Sequence, residues 1–309
     1  MKFSLAGLIK LSVLLAMAPL HAVIVGGTSG TGNNNSDEAG LNGFLATTVF
    51  SPFPYYTNLV RVGDASGVYL GWNYATDRGW VVSAQHVGAP ATIGVSGNSY
   101  AVVAGTNIAG SDIKLYEVSR GASPIPSMPT VTLGSSEATL GEVAIMTGRG
   151  YTNDTSGPFD WETPGFSDAV AHRWATNTIS AIGTINLGSE VVPNIHQYLV
   201  TDFDGPSGSG VTPYDGQAAS GDSGGGLFVY RGGEWQLAGI AHFVDDGPTF
   251  GAPFGPVNPS EFGDFTAYTD VFQHRSIISG LTGTLIPEPT TTLMLVMAGT
   301  FVLRRRVAR

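Results

Sequence analysis

The stretch Gly79-Trp80-Val81-Val82-Ser83-Ala84-Gln85-His86-Val87 carries the clearest structural signal in this chain of 309 residues. It joins a run of aromatic and β-branched residues, typical of a buried strand, to a histidine that follows directly. A histidine held at the end of a rigid strand suits general-base chemistry, because its ordinary pKa lies near neutrality. The stretch therefore predicts a β-structured scaffold that presents His86 as a catalytic base.

Comparable short apolar runs recur along the whole chain, separated by clusters of Gly, Pro, Asn and Asp. The runs cover residues 47–50, 67–71, 79–83, 99–103, 113–118, 142–147, 178–185, 197–201, 226–230 and 236–242. Regularly spaced short runs of this kind are typical of an antiparallel sandwich or barrel, and no alternation of strands with helices is visible. The pattern predicts an all-β fold.

Loops and one helix are expected between and after these strands. Residues 28–43, 152–168, 204–216 and 245–263 are rich in turn-forming residues and predict loops. A helix is expected to begin after Asp270, which can cap it, with Gln273 three residues further on. Its apolar face would comprise Val271, Phe272, Ile277, Ile278 and Leu281.

The composition supports a β-rich domain with a packed interior. Apolar residues make up 42% of the chain, enough for a core, whereas only 12% are charged and 43 residues are Gly, which suits many turns. The chain has no cysteine. Disulfides, cysteine nucleophiles, cysteine-ligated zinc and iron–sulfur clusters are therefore excluded.

A second motif, Gly221-Asp222-Ser223-Gly224-Gly225-Gly226, precedes the apolar run that starts at Leu227. Acyl transfer needs an activated hydroxyl, a base that takes its proton, and donors for the oxyanion that develops. Glycines on both sides of Ser223 allow a sharp turn, so that the amides of Gly221 and Ser223 can point at one oxyanion.

A third segment offers the acidic group that would orient the base. Asp112 opens the alternating strand Ile113-Lys114-Leu115-Tyr116-Glu117-Val118. A carboxylate in that place can fix the imidazole tautomer and stabilise its cation. An aspartate before a strand is common, and Asp64, Asp77 and Asp154 are competing candidates.

The three segments, in the order His, Asp, Ser, resemble those of the chymotrypsin/trypsin-like serine proteases. The resemblance implies two six-stranded antiparallel Greek-key β-barrels packed together, with a C-terminal helix and a half-barrel boundary near residues 120–135. It implies His86, Asp112 and Ser223 as the catalytic triad, with the amides of Gly221 and Ser223 as the oxyanion hole. Three positions depart from the family pattern, namely Gln85, Val87 and Gly226.

The same resemblance implies which residues bind the substrate side chain. Gln217 would lie at the base of the primary pocket, and His242, Phe243 and Val244 would lie on the substrate-binding strand. The base of the pocket is then not acidic, and Val244 would narrow it. The resemblance thus implies a preference for small or medium uncharged side chains rather than Lys or Arg.

The segment Ile24-Val25-Gly26-Gly27 resembles the first residues of an activated trypsin-like enzyme. In that family the new amino group pairs with the aspartate before the nucleophile, which is Asp222 in this chain. Cleavage after Ala22 would leave Val23 in front, one residue more than the resemblance implies. We therefore expect either trimming to Ile24 or no use of this pairing.

Both ends of the chain have the pattern of targeting segments. Residues 1–22 combine Lys2 and Lys10 with an apolar stretch and Ala22, which predicts a signal peptide removed by signal peptidase. Residues 282–309 contain Pro287-Glu288-Pro289, a short apolar run and Arg304-Arg305-Arg306, and resemble a PEP-CTERM sorting tail. That resemblance implies transient membrane anchoring, processing by an exosortase, and delivery to the envelope or extracellular matrix of a Gram-negative bacterium. Residues 23–281 would form the protease domain.

Charge and spacing argue against several partners. The formal net charge is −10, and the chain between the two basic ends is more acidic still, at about −15. Such a surface repels nucleic acid. His172, His196, His242 and His274 lack metal-type spacing, and Asp202-Phe203-Asp204-Gly205 lacks the full calcium-ligand pattern. We expect no cofactor and no metal, and protein or peptide substrates as partners.

Two other functions fit parts of the sequence. The serine motif also fits Gly-x-Ser-x-Gly of α/β-hydrolase esterases, in which Asp264 or Asp270 and His274 would complete the triad. A non-catalytic matrix-binding module on the protease scaffold is the other alternative. The strand-rich pattern disfavours the first, and the presence of His86, Asp112 and Ser223 together disfavours the second.

Overall fold

Short strands form most of the regular structure of the computed structural model, which describes residues 23–26, 37–150, 172–185, 196–244 and 262–285. The strands are β1 (Ile24–Val25), β2 (Leu59–Val62), β3 (Ala65–Asn73), β4 (Arg78–Ala84), β5 (Thr92–Val95), β6 (Asn98–Asn107), β7 (Ile113–Ser119), β8 (Val143–Gly148), β9 (Arg173–Ile185), β10 (His196–Asp202), β11 (Gly216–Gln217), β12 (Gly226–Arg231), β13 (Glu234–Val244) and β14 (Phe265–Asp270). The helices are α1 (Glu38–Leu45) and α2 (Val271–Thr282).

The strands close into two six-stranded antiparallel barrels. The first barrel has the order β2-β3-β4-β7-β6-β5, and the second has the order β10-β14-β13-β12-β8-β9. Strands β1 and β11 pair outside the barrels. Helix α2 follows the last strand of the second barrel. The predicted chymotrypsin-like double barrel with a C-terminal helix is therefore confirmed, and the α/β-hydrolase alternative is wrong because no parallel sheet flanked by helices is present among the described residues.

Each barrel has its own apolar interior, and a third cluster joins them. Tyr69, Val81 and Tyr116 belong to the interior of the first barrel, and Met146 and Leu227 to that of the second. The joining cluster draws on both barrels and both helices; among its buried members are Leu41, Val68, Leu115, Ile145, Trp174, Phe228, Trp235, Leu237 and Ile278. The stretch 120–142 connects the two barrels. Apolar packing between the barrels thus fixes the cleft in which both contribute side chains.

The region before the first barrel differs from the sequence-based expectation. Residues 38–43, expected as loop, belong to α1, which Asp37 caps by accepting the backbone N–H of Gly40. Residues 47–50, expected as strand, form turns, because the hydroxyls of Thr47 and Thr48 bond the helix carbonyls of Phe44 and Leu45 at 2.7 Å. The two glycines of α1 have low helix propensity, so the sequence did not predict a helix there. Its buried leucines pack against the barrels and stabilise it.

Most predicted strands lie within observed ones, and the C-terminal helix begins where expected. The Asp270 side chain accepts the backbone N–H of Phe272 at 2.9 Å. Val271 and Ile278 are buried, whereas Ile277 and Leu281 are 45% and 40% exposed, so the apolar face is narrower than predicted. Strands β1, β2, β5, β11 and β14 were not predicted; all are short, with at most six residues.

Within the described ranges, we find no helix with the length and apolarity needed to cross a membrane. The predicted signal peptide, residues 1–22, and residues 286–309 of the predicted sorting segment (282–309) lie outside the described residues, whereas Thr282 is the last residue of α2. Residues 152–168 and most of 245–263, which were expected to be loops, also lie outside the described residues.

Candidate active site

The pairing of β4 with β7 brings His86 and Asp112 together. Ala84, the last residue of β4, is paired with Ile113, the first residue of β7. Residues just beyond Ala84 and just before Ile113 therefore meet at the end of the same barrel. The backbone N–H of Gln85 donates to the carbonyl of Asp112 at 2.8 Å and extends this pairing. The two strands thus place the imidazole of His86 against the carboxylate of Asp112, 26 residues further along the chain.

Both oxygens of the Asp112 carboxylate face donors from His86. Oδ1 accepts the backbone N–H of His86 at 3.0 Å, and Oδ2 lies 2.7 Å from the imidazole Nδ1. The Asp112 side chain is fully buried, whereas the His86 side chain is 41% exposed. This geometry favours the tautomer with its proton on Nδ1, in which Nε2 is the acceptor nitrogen of the ring.

The nucleophile candidate lies on the loop between β11 and β12, in the second barrel. Ser223 Oγ is 2.8 Å from His86 Nε2. The loop is held by bonds to both barrels: Ser66 N–H of the first barrel donates to the Ser223 carbonyl at 2.9 Å, and Gly224 N–H donates to the carbonyl of Ala241 in the second barrel at 2.8 Å. The three predicted catalytic side chains are therefore brought together, although they come from three separate segments and two barrels.

The same loop leaves two amides available beside the serine. The N–H groups of Asp222, Gly224 and Gly225 donate to carbonyls of Ala219, Ala241 and Asp222. In the part of the chain that the structure describes, the N–H groups of Gly221 and Ser223 donate to no protein acceptor. Gly221 has a φ of 86°, a conformation that glycine adopts readily. Two amides of one tight turn thus lie beside Ser223, and their role as an oxyanion hole stays a prediction.

The Asp222 carboxylate is buried beneath the loop and accepts three backbone N–H groups. Oδ1 accepts from Gly150 at 2.6 Å, while Oδ2 accepts from Ala219 at 2.8 Å and from Val23 at 3.1 Å. Val23, rather than Ile24, therefore contacts Asp222. Ile24 lies one position further along in β1, where it pairs with Gln217.

Burial raises the pKa of Asp222 to about 6, against an ordinary value of 3.8. The N–H groups of Ala219, Gly150 and Val23 and the more distant charge of Arg173 act in the opposite direction. An ionised carboxylate in this place lacks a full compensating charge, because its direct donors are neutral amides. A cation within reach of Oδ2 would therefore stabilise the ionised form.

His242, predicted as a substrate-binding residue, lies beside the catalytic pair. It is 5% exposed, and its Nε2 is 3.5 Å from Asp112 Oδ2. Its Nδ1 is 2.8 Å from the hydroxyl of Tyr198, a residue that the sequence analysis did not single out. One ligand atom from each of His86, Asp112 and His242 lies within 4.8 Å of the others, a spacing that sequence separation alone did not reveal. In the structure the Asp112 oxygens already face N–H donors of the protein.

The other residues predicted to determine specificity lie on β11 and β13. Gln217 is 1% exposed, and its side-chain amide donates to the Phe265 carbonyl at 3.4 Å. Phe243 packs edge-on against Tyr198 and His242. Val244 is half-buried against a cluster that includes Ile24. Their roles in substrate binding stay predictions.

An open cleft of about 410 Å³ lies next to His86 and Ser223. Its lining comes from both barrels: Gly63, Asp64, Ala65, His86, Val87, Gly88, Ala89, Pro90, Ser220, Gly221 and Ser223. Ser223, His86 and Gly221 therefore line the same cleft. A polypeptide lying in it would meet all three groups.

The competing acidic residues take part in other interactions. Asp64 pairs with Arg61 at 2.9 Å, and Asp77 pairs with Arg120 at 3.0 Å, both at the surface. Asp270 caps α2, and His274 lies within that helix, where neither contacts Ser223. Asp154 lies outside the described residues. Among the described candidates, Asp112 is the carboxylate at His86.

No family model matches the chain, and no curated protein matches it. Among solved structures, two inactive-form crystal structures of Rv3671c are similar, one of a mutant from M. tuberculosis and one described as the Rv3671c protease. They share 13% and 14% identity over 81% of this chain, and 97% and 98% of theirs, with TM-scores of 0.43 and 0.44.

Proposed function

We propose that this chain is a serine endopeptidase that hydrolyses peptide bonds through an acyl-enzyme. The observation that carries the proposal is the continuous hydrogen-bonded line from Ser223 Oγ to His86 Nε2, and from His86 Nδ1 to Asp112. The exposed end of that line opens into a cleft, and the other end is buried. A buried orienting acid, a base and an accessible hydroxyl in this order are what nucleophilic acyl transfer requires.

The geometry supports a sequence of balanced proton transfers. As Ser223 Oγ bonds to the carbonyl carbon of the substrate, its proton passes to His86 Nε2, and Asp112 stabilises the resulting imidazolium. The amides of Gly221 and Ser223 hold the negative oxygen of the tetrahedral intermediate. When the carbon–nitrogen bond breaks, His86 gives the proton to the leaving amine. Water then attacks the ester with His86 again as base, and Ser223 regains its proton.

The proposal is tested by kinetics on a fluorogenic peptide library with purified variants. Ser223→Ala and His86→Ala are expected to lower kcat by at least about 10⁴-fold, and Asp112→Asn by about 10⁴-fold, because the three residues act as one unit. Ser279→Ala, on the exposed face of α2, is the matched control and should retain wild-type activity. Equal hydrolysis by the wild type and Ser223→Ala would contradict the proposal and favour the binding-module alternative.

We propose further that the protease is exported, with residues 1–22 as signal peptide and the Pro287-Glu288-Pro289 tail as a sorting signal. The supporting pattern is a basic and apolar start together with an apolar end followed by arginines. The test is cell fractionation of the chain with and without Pro287→Ala and Pro289→Ala. We expect the wild-type protein to be found outside the cytoplasm, with the tail removed. Accumulation of the uncleaved chain in the cytoplasm would overturn this assignment.

A further inference from the structure

A β-bulge in β13 points His242 at the catalytic carboxylate. Ala241 pairs with Tyr268 and Phe243 pairs with Ala267, so His242 is the extra residue of the bulge. Bulges re-aim side chains and recur next to active sites. Here the imidazole is 5% exposed and lies with its Nε2 3.5 Å from Asp112 Oδ2. A polar ring in such a buried place must have hydrogen-bonding partners.

The contacts at the two ends of the ring determine where its proton lies. Asp112, when ionised, can only accept, so a favourable contact with it requires a proton on Nε2 of His242. The Tyr198 hydroxyl, 2.8 Å from Nδ1, donates to a neutral imidazole that carries its proton on Nε2. The Tyr198 ring also stacks on His242 at 5.5 Å between centroids. Asp112 therefore favours the tautomer with the proton on Nε2, and the Tyr198 hydroxyl can donate to Nδ1 in that tautomer.

The charge state of His242 follows from its neighbours. Its ring stacks on that of His86 at a centroid distance of 5.4 Å, with 30° between the planes. When His86 takes the proton from Ser223, a second imidazolium in the stack would be repelled. The titratable groups that contact His242 in the described structure include Asp112, His86 and Tyr198. With one carboxylate among them, the neutral form of His242 is compatible with a protonated His86.

We propose that His242, held by Tyr198, is a positioning residue for Asp112. Its Nε2–H is a further donor to Oδ2, so that the carboxylate keeps its orientation towards His86 Nδ1. This role rests on the proposed peptidase function and extends the catalytic line to Ser223, His86, Asp112, His242 and Tyr198. It also gives a role to the burial of His242, which the resemblance implied only as a residue of the substrate-binding strand.

Three variants test the role by kinetics. His242→Leu removes the donor and is expected to lower kcat by about 10²-fold, because a misplaced base loses its alignment with the serine, while KM changes less than about threefold. His242→Gln places an amide N–H near the position of Nε2 and should recover most of kcat. Tyr198→Phe keeps the ring and removes the hydroxyl, and should lower kcat by about fivefold to tenfold. Equal losses in His242→Leu and His242→Gln would indicate packing alone and overturn the proposal.

The acidic limb of the profile of kcat/KM against pH gives a second readout. The N–H of His242 offsets part of the Asp112 charge, so its loss leaves a stronger field on His86 and raises the pKa of that imidazole. In His242→Leu the acidic limb is expected to move up by about half to one pH unit, and in His242→Gln to stay near the wild type. An unchanged limb in His242→Leu would contradict the proposed donor.

Nuclear magnetic resonance of ¹⁵N-histidine-labelled protein separates this role from the function itself. The ¹⁵N shifts should show His242 with its proton on Nε2, and the pKa of His86 should rise in His242→Leu but not in His242→Gln. These results together with an inactive wild type would contradict the peptidase and support the positioning of Asp112. A His242 proton on Nδ1, or a His86 pKa that does not respond, would overturn the positioning role even in an active peptidase.

Discussion

The backbone N–H of Val23 donates to Asp222 Oδ2 over 3.1 Å, in a buried place directly before the nucleophile loop. Val23, Ile24 and Val25 are all at most 5% exposed, so this short segment is packed into the second barrel. The sequence resemblance implied that Ile24 would provide the new amino group. The structure instead places the nitrogen of Val23 at Asp222. Val23 is the residue that cleavage after Ala22 would leave at the amino terminus.

The first prediction follows from that contact. A chain that begins at Val23 carries an ammonium group in place of an amide at Asp222, and a buried ion pair with further hydrogen bonds holds the loop firmly. We expect this form to be at least about tenfold more active than a chain extended before Val23, since a mobile loop loses the alignment of its amides. A removable ubiquitin-like fusion provides the exact start for kinetic measurements.

The matched control for the first prediction is a chain that begins at Ile24 and lacks the contacting residue. It should resemble the extended form in kcat/KM. Amino-terminal sequencing of the protein recovered outside the cell is expected to begin at Val23. Full activity of the extended form, or a mature start at Ile24, would show that the Val23 contact plays no part in activation.

The second prediction concerns the pH dependence of stability in the extended form. The pKa of Asp222 is raised to about 6 in the fold against 3.8 ordinarily, so the folded state binds more protons than the unfolded state between those values. The free energy of unfolding should therefore fall as pH rises from about 4 to about 6 and then level off with respect to this group. Urea unfolding from pH 4 to 8 measures the effect.

Asp222→Asn provides the control for this pH dependence, because it cannot ionise. Its overall stability is expected to be lower, since an amide nitrogen meets backbone donors, but its own curve should lack the decline between pH 4 and 6, so that the decline appears in the difference between the extended form and the variant. In the chain that begins at Val23, the ammonium group lowers the pKa of Asp222 and should weaken the decline. Parallel curves for the extended form and Asp222→Asn would contradict the assignment.

The third prediction concerns Gly224, which follows the nucleophile. Its φ is 86°, and an added methyl group would collide with the Ser66 carbonyl and the Ser83 hydroxyl in the other barrel. We expect Gly224→Ala to reduce the free energy of unfolding by about 2 kcal/mol or more and to reduce kcat strongly. Chemical denaturation and peptide hydrolysis measure the two effects.

Gly232→Ala separates backbone strain from collision in the third prediction. Gly232 has a φ of 60°, and no atom lies within 4 Å of the site of an added methyl group. Its substitution should lower stability by only about 1 kcal/mol and leave kcat unchanged. Similar stability losses in the two variants would mean that close approach between the barrels at Gly224 is not what requires glycine there.

The fourth prediction concerns the residue thought to narrow the primary pocket. Val244→Gly removes a half-buried side chain at the end of β13 and should raise the ratio of kcat/KM for aromatic over small substrate side chains by about tenfold. Val103→Gly, at an exposed position of β6, controls for the loss of β-propensity. The preference is measured with peptides that differ only at the residue before the cleaved bond. An unchanged preference in Val244→Gly would contradict the prediction that Val244 lines the pocket.

The sequence predicted those parts of the candidate site that are marked by short local motifs. The strand before His86 and the glycines around Ser223 are short-range patterns, and both residues meet as expected. Asp112 was one of several aspartates until the register of β4 against β7 placed it at His86. No single window of the sequence determines which distant strands pair. The position of Asp112 relative to His86 therefore became known only from the structure.

His242 and Val23 show the limit of that reasoning. A bulge that adds one residue to β13 turns the His242 side chain to the other face of the sheet. No residue type near His242 predicts this bulge from the sequence. The Tyr198 partner lies 44 residues away in another strand. Similarly, the contact of Asp222 with Val23 instead of Ile24 depends on a one-residue register between β1 and β11. Such single-residue shifts are decided by packing rather than by local propensity.

The most direct test of the central claim is labelling with a fluorophosphonate probe, read by intact mass and peptide mapping on the chain that begins at Val23. We expect one adduct per chain, located on Ser223, absent in Ser223→Ala and formed at least about 10²-fold more slowly in His86→Ala, because only an activated hydroxyl reacts with such a probe. A folded wild-type chain that takes up no adduct, or takes it up on another residue, would contradict the assignment of Ser223 as the nucleophile.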